Sequence, residues 1–294
     1  MVYGRPAIAV PVKDLRVHAT FIPEPHPGVR VHLPDIGQQW EWPPGPEEHP
    51  IVVVIERLAQ LAGKTPRGRL RVASTIPIAA GLGSSAAVAV AVTRVLALAL
   101  DLSLPLNTIS EVAFEAEKVT HGTPSGVDNT VVTYEQPVWF VPGALPEPFP
   151  IARTFTLIIA HSGIQASTRE VVAAVRQGWE HHRAHYEARF DKIAKIVQNV
   201  RSLLEKGDIA AVGPLLTENH TLLQELGVSS PVLDTLVEAA LKAGAWGAKL
   251  AGAGRGGNIV ILAPEERIHH ITAAVRQAGA QEVWVTTVEK QEIR

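Results

Sequence analysis

Along the first part of the chain, apolar and polar positions alternate over short spans. Ala7–Val12, Val17–Phe21 and Val29–Leu33 are rich in β-branched side chains and carry this period of two, which predicts half-buried strands. Trp40 to Pro50 is proline-rich and reads as a loop, whereas Ile51–Leu61 has the apolar spacing of a helix. Arg69–Thr75 alternates as a strand. Ile76–Ser85 is a loop of glycine and small residues, and Ala86–Leu100 follows as an almost uninterrupted apolar helix, with Ser84 or Ser85 placed to cap it. Ser110–Val119 predicts a further helix, His121–Asp128 a turn-rich segment, and Thr130–Tyr134 with Val138–Val141 a β-hairpin. After Pro142–Pro150, which holds four prolines in nine residues, come a strand at Thr156–Ala160 and helices over Thr168–Leu204, Ile209–Leu226 and Pro231–Ala243. A glycine-rich segment, a strand at Ile259–Leu262, a helix at Ile268–Ala278 and a strand at Val283–Val288 complete the pattern. Helices mixed with antiparallel-type strands in both halves predict an α+β protein. The proline-rich stretch suggests a division into 1–150 and 151–294.

Length and charge narrow the function classes. The 294 residues are long enough for two domains, with 27 basic and 29 acidic side chains, a net charge of −2 and no cysteine. Without cysteine there are no disulfides, thiolate metal sites or thiol nucleophile. Near-neutrality argues against a nucleic-acid-tracking protein. The Ala86–Leu100 run is shorter than the roughly 20 residues that span a bilayer, so it predicts a buried helix and no membrane partner. The start of the chain carries no basic segment followed by an apolar one, and a cytoplasmic location is the expectation.

Three segments carry chemistry. The first, Pro77-Ile78-Ala79-Ala80-Gly81-Leu82-Gly83-Ser84-Ser85-Ala86-Ala87, joins a strand to a helix. Glycines admit an anion close to the backbone, and a helix N-terminus offers unpaired N–H groups and the positive end of its dipole, which makes a phosphate cradle. A tight turn with a serine cap explains the same residues without a ligand. No Lys-Ser/Thr follows the second glycine, so this is not a Walker A loop. Gly81, Gly83 and Ala86 satisfy the dinucleotide spacing, but the helix leaves no room for the second strand that would carry its acid. The second segment, Glu117 to Asn129, places Glu117 and Asp128 on either side of a Gly-Thr-Pro-Ser-Gly turn that can fold both toward one point. One carboxylate could hold Mg²⁺ and the other could sit on an attacking hydroxyl. Alternatively, Glu117 is a surface residue and Asp128 a helix cap. The third, Lys249 to Asn258, is a second flexible, anion-friendly loop containing Arg255. His181, His182 and His185 include a pair four apart that could bind metal, but their charged helix reads as a solvated face. His121 fits a catalytic or a turn-stabilising role.

Together these segments resemble the GHMP small-molecule kinase superfamily. Pro77–Ala87 is similar to its ATP-phosphate loop, Lys249–Asn258 to its third, glycine-rich motif, and Glu117–Asn129 to the E-x-V-x-H-G-x-P-S-G-V/I-D-N string of the mevalonate kinases within it. Gly163–Val175 and Asn219–Val228 extend that similarity. The resemblance implies a two-lobed fold, with an N-terminal lobe like ribosomal protein S5 domain 2 and a C-terminal ferredoxin-like α/β sandwich. It implies ATP-dependent, Mg²⁺-assisted phosphorylation of the mevalonate 5-hydroxyl, or else another acceptor of the superfamily (phosphomevalonate, another mevalonate hydroxyl or a sugar), or a ligand-binding homologue without turnover. By the same resemblance, Gly81, Leu82, Gly83, Ser84 and Ser85 cradle the ATP phosphates with Gly252, Ala253 and Gly254. Ser85 and Glu117 are the Mg²⁺ ligands, Asp128 stands beside the reacting hydroxyl, and Ser125, Gly126 and Thr168 lie near substrate. A homodimer is the family expectation.

Two features depart from the pattern. Ala251 stands where Thr is usual and Arg255 where Gly is usual, and Arg255 could add charge near phosphate or point to solvent. Met1–Ala7 matches only the end of the first motif, so the expectation is a missing strand and turn of roughly ten residues carrying a Lys and a Glu-His pair.

Overall fold

The structure is a computed structural model, and it describes residues 4–76, 81–122 and 124–291. In chain order the strands are β1 Ala7–Ala9, β2 Val17–Pro23, β3 Val29–Leu33, β4 Gln38–Trp42 and β5 Gly68–Ser74, then β6 Val138–Phe140 and β7 Glu147–Pro148. They continue with β8 Phe155–His161, β9 Gly247–Ala251, β10 Asn258–Ala263 and β11 Glu282–Val288. The helices are α1 Pro50–Ala62, α2 Ser84–Ala99, α3 Leu106–His121, α4 Val127–Tyr134, α5 Thr168–His181, α6 Arg183–Lys206, α7 Val212–Glu225, α8 Pro231–Lys242 and α9 Ile268–Gln277. The α+β class predicted from the sequence is the one observed.

Packing gathers these elements into two compact units. One takes the described residues of 15–78 and 82–135, the other those of 1–14, 79–81 and 136–294. In the first, strands in the order β2-β5-β3-β4 form a sheet that is antiparallel except for the β3–β5 pair. Helices α1, α2 and α3 bury one apolar core against it, with Val31, Ile55, Leu70, Val92, Leu96 and Ala113 fully enclosed. Helix α2 is apolar on nearly every side, as a helix surrounded by protein must be. Its one central hydroxyl, on Thr93, donates back to Ala89 O at 2.7 Å and so needs no outside partner.

The second unit is built on the antiparallel sheet β11-β8-β10-β9. Counting those strands along the chain, the spatial order is 4-1-3-2, the ferredoxin-like arrangement with α5–α8 and then α9 as its crossovers. Leu233, Leu236 and Val237 of α8 and Ile271 and Val275 of α9 bury against Ile158, Leu250, Ile259 and Ile261. A small sheet, β1-β6-β7, belongs to the same unit, and Phe149 and Ile151 just beyond β7 are buried with α6 and α7. The chain therefore leaves the first unit at Glu135, upstream of the proline-rich stretch.

Four sequence expectations are corrected. Thr130–Tyr134 is not the first arm of a hairpin but the body of α4, and β6 pairs with β1 and β7 instead. Its β-branched residues favour a strand in isolation. Tertiary contact overrides that, because the Asn129 amide is buried and donates to Ser110 O and Oγ at 3.1 and 2.8 Å. Gln38–Trp42 is a strand within the segment read partly as a loop. The helix expected over Thr168–Leu204 is two helices broken at His182, because Tyr186 of α6 folds back onto Gly178 of α5, where a Cβ would collide with the tyrosine ring. Finally, Gly83 rather than a serine occupies the N-cap of α2, and the helix starts at Ser84.

Helix α7 approaches the open edge of β9 backbone to backbone. A Cβ on Gly247 would collide with the carbonyl of Gly213, and one on Gly213 with the carbonyl of Trp246. Neither obstacle is a side chain that could swing away. Gly247→Ala is expected to lower stability by about 1–3 kcal/mol, the usual cost of overpacking. Urea denaturation measures it, and an unchanged midpoint would contradict the contact.

Candidate active site

The first turn of α2 is the starting point. Gly83 holds the left-handed conformation, with φ 66°, and among the described residues no side chain caps the helix. The initial N–H groups and the positive dipole end are thus left for an anion. Pro77–Ala80 of the predicted cradle lie outside the described residues, as does Thr123 of the second segment.

Three predicted site residues gather beside this turn. A Cβ on Gly83 would lie 3.5 Å from Cβ and 3.7 Å from Cγ of Asp128, so the glycine turn and the aspartate are neighbours. Asp128 sits in the first turn of α4, which starts on Gly126 with φ 85°. Ser125 Oγ accepts from Val127 N at 3.4 Å, and the Thr130 hydroxyl donates to Gly126 O at 2.6 Å. The far end of α4 is held by Arg94, which donates to Thr133 O at 2.7 Å and pairs with Glu135. Together with the Asn129–Ser110 bonds, these contacts aim Asp128. Among the described residues Asp128 does not cap α4, whose N-cap is Gly126.

Glu117 is on the penultimate turn of α3 and is only 3% exposed, so it is not a surface residue. Among the described residues its Oε1 has no hydrogen-bond partner. His121, one turn later, bridges outward, with Nε2 3.2 Å from Ser85 Oγ and 3.8 Å from Glu117 Oε2. Burial pushes the Glu117 carboxyl above its ordinary range. The Ser85 hydroxyl and the His121 charge oppose that, and Asp128 adds to it. Asp128 keeps an exposed face, yet desolvation by the protein around its carboxyl also raises it, again against His121. Two desolvated carboxylates, a hydroxyl and a helix N-terminus form a site suited to phosphate and a divalent ion.

These residues fit Mg²⁺. Glu117 Oε1 is a buried acceptor without a partner and Ser85 offers a second hard oxygen. Among the described residues no group of three or more His, Asp or Glu is placed to chelate a metal. A Mg²⁺ site completed by phosphate oxygens and water needs no such group. At His181, Nδ1 lies 2.7 Å from Gln177 O on an exposed face, in line with a solvated histidine.

Thr168 and the third motif belong to the other unit. Thr168 opens α5, after an N-cap in which Ser167 Oγ accepts from Glu170 N at 3.3 Å. Lys249–Ala251 are part of β9, a strand not foreseen from the sequence, so the motif's loop is the β9–β10 connection. Gly257 N donates to Ile164 O and Ser162 N to Gly257 O, each at 2.8 Å, while Arg255 N donates to Val228 O at 2.8 Å. The exposed Arg255 bonds through Nε to Gly227 O at 3.2 Å. Gly81 lies near this loop's end, since a Cβ there would be 3.7 Å from Asn258 Nδ2. His161 Nδ1 is 2.9 Å from Asn258 Oδ1. Neither His161 nor the buried His220 near β9 was singled out from the sequence. Neither stands in a glycine motif, and only the fold reveals their positions.

Residues 49–136 match the GHMP kinases N terminal domain and residues 200–281 the GHMP kinases C terminal family. The chain belongs to the GHMP kinases. Among its relatives, the mevalonate kinase of Thermococcus gammatolerans is 33% identical over 99% of this chain and 86% of that protein. The mevalonate kinase of Pyrococcus abyssi is 33% identical over 100% and 92%. The crystal structure of L. major mevalonate kinase in complex with R-mevalonate superposes with a TM-score of 0.85 at 26% identity, covering 99% of this chain and 91% of that one. Methanococcus jannaschii mevalonate kinase, 21% identical, shares the fold with a TM-score of 0.80 over 99% of this chain and 93% of that one.

Lys249 gives this region a pH signature. Desolvation holds its ammonium down at about 8, although Nζ donates to Leu250 O at 2.5 Å. The unfolded chain returns this lysine to its ordinary value of 10.5. Between those two values the unfolded state binds more protons, so this residue's contribution to stability rises with pH. Wild type is therefore expected to gain stability relative to Lys249→Met between pH 7 and pH 9.5. Paired urea titrations measure this, and a constant difference would refute the buried charge.

Proposed function

We infer that this chain is an ATP-dependent mevalonate kinase that transfers the γ-phosphoryl group in line to the 5-hydroxyl of mevalonate, giving 5-phosphomevalonate. The observation that carries this reading is the meeting of the uncapped α2 N-terminus with Ser85, Glu117 and Asp128, in a chain whose relatives over nearly its whole length are mevalonate kinases. Phosphoryl transfer needs positioning and charge neutralisation more than covalent help, and these groups provide both.

In this reading the backbone from Gly81 to Ser85 receives the phosphates, with Gly252, Ala253 and Gly254 contributing from the third motif. Ser85 and Glu117 would hold Mg²⁺, which neutralises charge on the phosphate oxygens when bound. His121, now on the Ser85 hydroxyl, would give way there. Asp128 accepts the proton of the 5-hydroxyl or orients it, and a carboxyl raised above its ordinary range is the stronger base. Ser125, Gly126 and Thr168 lie on the substrate side. The reading assigns ATP binding mainly to 1–150 and the second lobe to 151–294. It includes a cytoplasmic homodimer that acts on small molecules and has no nucleic-acid or membrane partner. Among the described residues no helix is long and apolar enough to cross a membrane.

Asp128→Ala is expected to lower kcat by about 10²–10⁴-fold, the usual worth of a positioned proton acceptor, while ATP affinity stays within a few-fold. An ADP-release assay with mevalonate, phosphomevalonate and galactose as acceptors, combined with nucleotide titration, measures both quantities. Full activity of the variant would remove Asp128 from the mechanism. Turnover of another acceptor in preference to mevalonate would replace the substrate.

A further inference from the structure

β9 is an outer strand of its sheet, so N–H groups on its free side need partners from outside the sheet. Leu250 is 1% exposed, and its N–H donates at 3.3 Å to Nδ1 of His220 on α7. With Nδ1 accepting, the ring proton sits on Nε2, which faces Asp234 Oδ1 on α8 at 3.1 Å, a close polar contact that lacks the alignment of a hydrogen bond. The same aspartate oxygen accepts from Ser229 Oγ at 2.5 Å. Burial favours the neutral ring, the form able to accept at Nδ1.

Ser229 adjoins the surface on which the third-motif loop rests. Arg255 N bonds to Val228 O, Arg255 Nε bonds to Gly227 O, and Gly254 packs so tightly on the Val228 carbonyl that no Cβ fits. The loop is thus gripped at its root through Leu250 and midway through Val228. His220 and Asp234 join those two anchors. A leucine at 220 would fill the space between α7 and β9 but would leave the buried Leu250 N–H unpaired.

We propose that His220 is a positioning residue for phosphoryl transfer: by linking Leu250 to Asp234 and Ser229, it fixes the conformation of the 252–257 loop. This rests on the reading of that loop as part of the ATP site.

The test uses the full chain with His220→Leu and His220→Asn, because the asparagine Oδ1 can stand where Nδ1 accepts from Leu250. Hydrogen–deuterium exchange of the 250–257 amides is expected to be at least tenfold faster in His220→Leu and within about threefold of wild type in His220→Asn. kcat is expected to fall at least tenfold in the leucine variant and to recover in the asparagine variant, with KM for mevalonate changed less than about twofold in either. Unchanged exchange in His220→Leu overturns the proposal, as does faster exchange without loss of kcat, or a folded His220→Asn that rescues neither. Should His220→Leu fail to fold, Asp234→Ala carries the test, because it removes the oxygen that faces Nε2 and accepts from Ser229 Oγ, with three- to tenfold faster exchange and lower kcat expected and wild-type values overturning the proposal. kcat is read on mevalonate, or on whichever acceptor releases ADP if mevalonate does not. A wrong substrate and a wrong role for His220 are therefore told apart.

Discussion

Helix α2 begins on a glycine that has no side chain to cap it, and the surrounding design follows from keeping those N–H groups open. A serine one position earlier would satisfy one of them and fill the space an anion needs. Gly83 instead takes a left-handed conformation, which strains any residue with a Cβ, and lies beside Asp128. The apolar body of α2 is what makes this tolerable. Burial of Ala86, Val90, Val92 and Leu96 stabilises the helix through packing, so its first turn need not contribute.

The carboxylates add a second cost that the same core offsets. Glu117 is buried with one oxygen unpartnered, and Asp128 is desolvated with only a histidine charge to relieve it. Neither arrangement helps the chain fold. Both are what a site built for cationic and phosphate partners requires, since strong interactions with a ligand depend on groups left unsatisfied without it. The supporting contacts are correspondingly rigid. Asn129 on Ser110 and Arg94 on Thr133 lock a helix of only eight residues at both ends.

The glycine motifs, the Glu117–Asp128 pairing and the alternation of the main strands were all legible in the sequence, because each depends on residues close together along the chain. What was not legible depended on contacts from afar. Nothing within Thr130–Tyr134 opposes a strand, and the decisive bond runs from Asn129 to Ser110 on another helix. No proline or glycine marks His182 as a break, which is set by Tyr186 folding onto Gly178. β9 was hidden because Gly247, Ala248 and Lys249 have low strand propensity, and its place is fixed by pairing with β10 and by the approach of α7. The residues of the candidate site were readable, whereas the scaffolding that aims them was largely not.

The two units answer the same problem by different means. Around α2 the backbone groups are left open and the helix is held by apolar packing. Around β9 the exposed edge of a sheet is closed by polar side chains, and two glycines let α7 come close enough for His220 to reach Leu250. An apolar seal would have covered the edge equally well but could not have paired a buried N–H. The polar seal is directional, and the loop it anchors leaves β9 from the residue after Leu250. A directional contact at that point carries its geometry into the loop, as dispersion contacts, which tolerate sliding and rotation, would not.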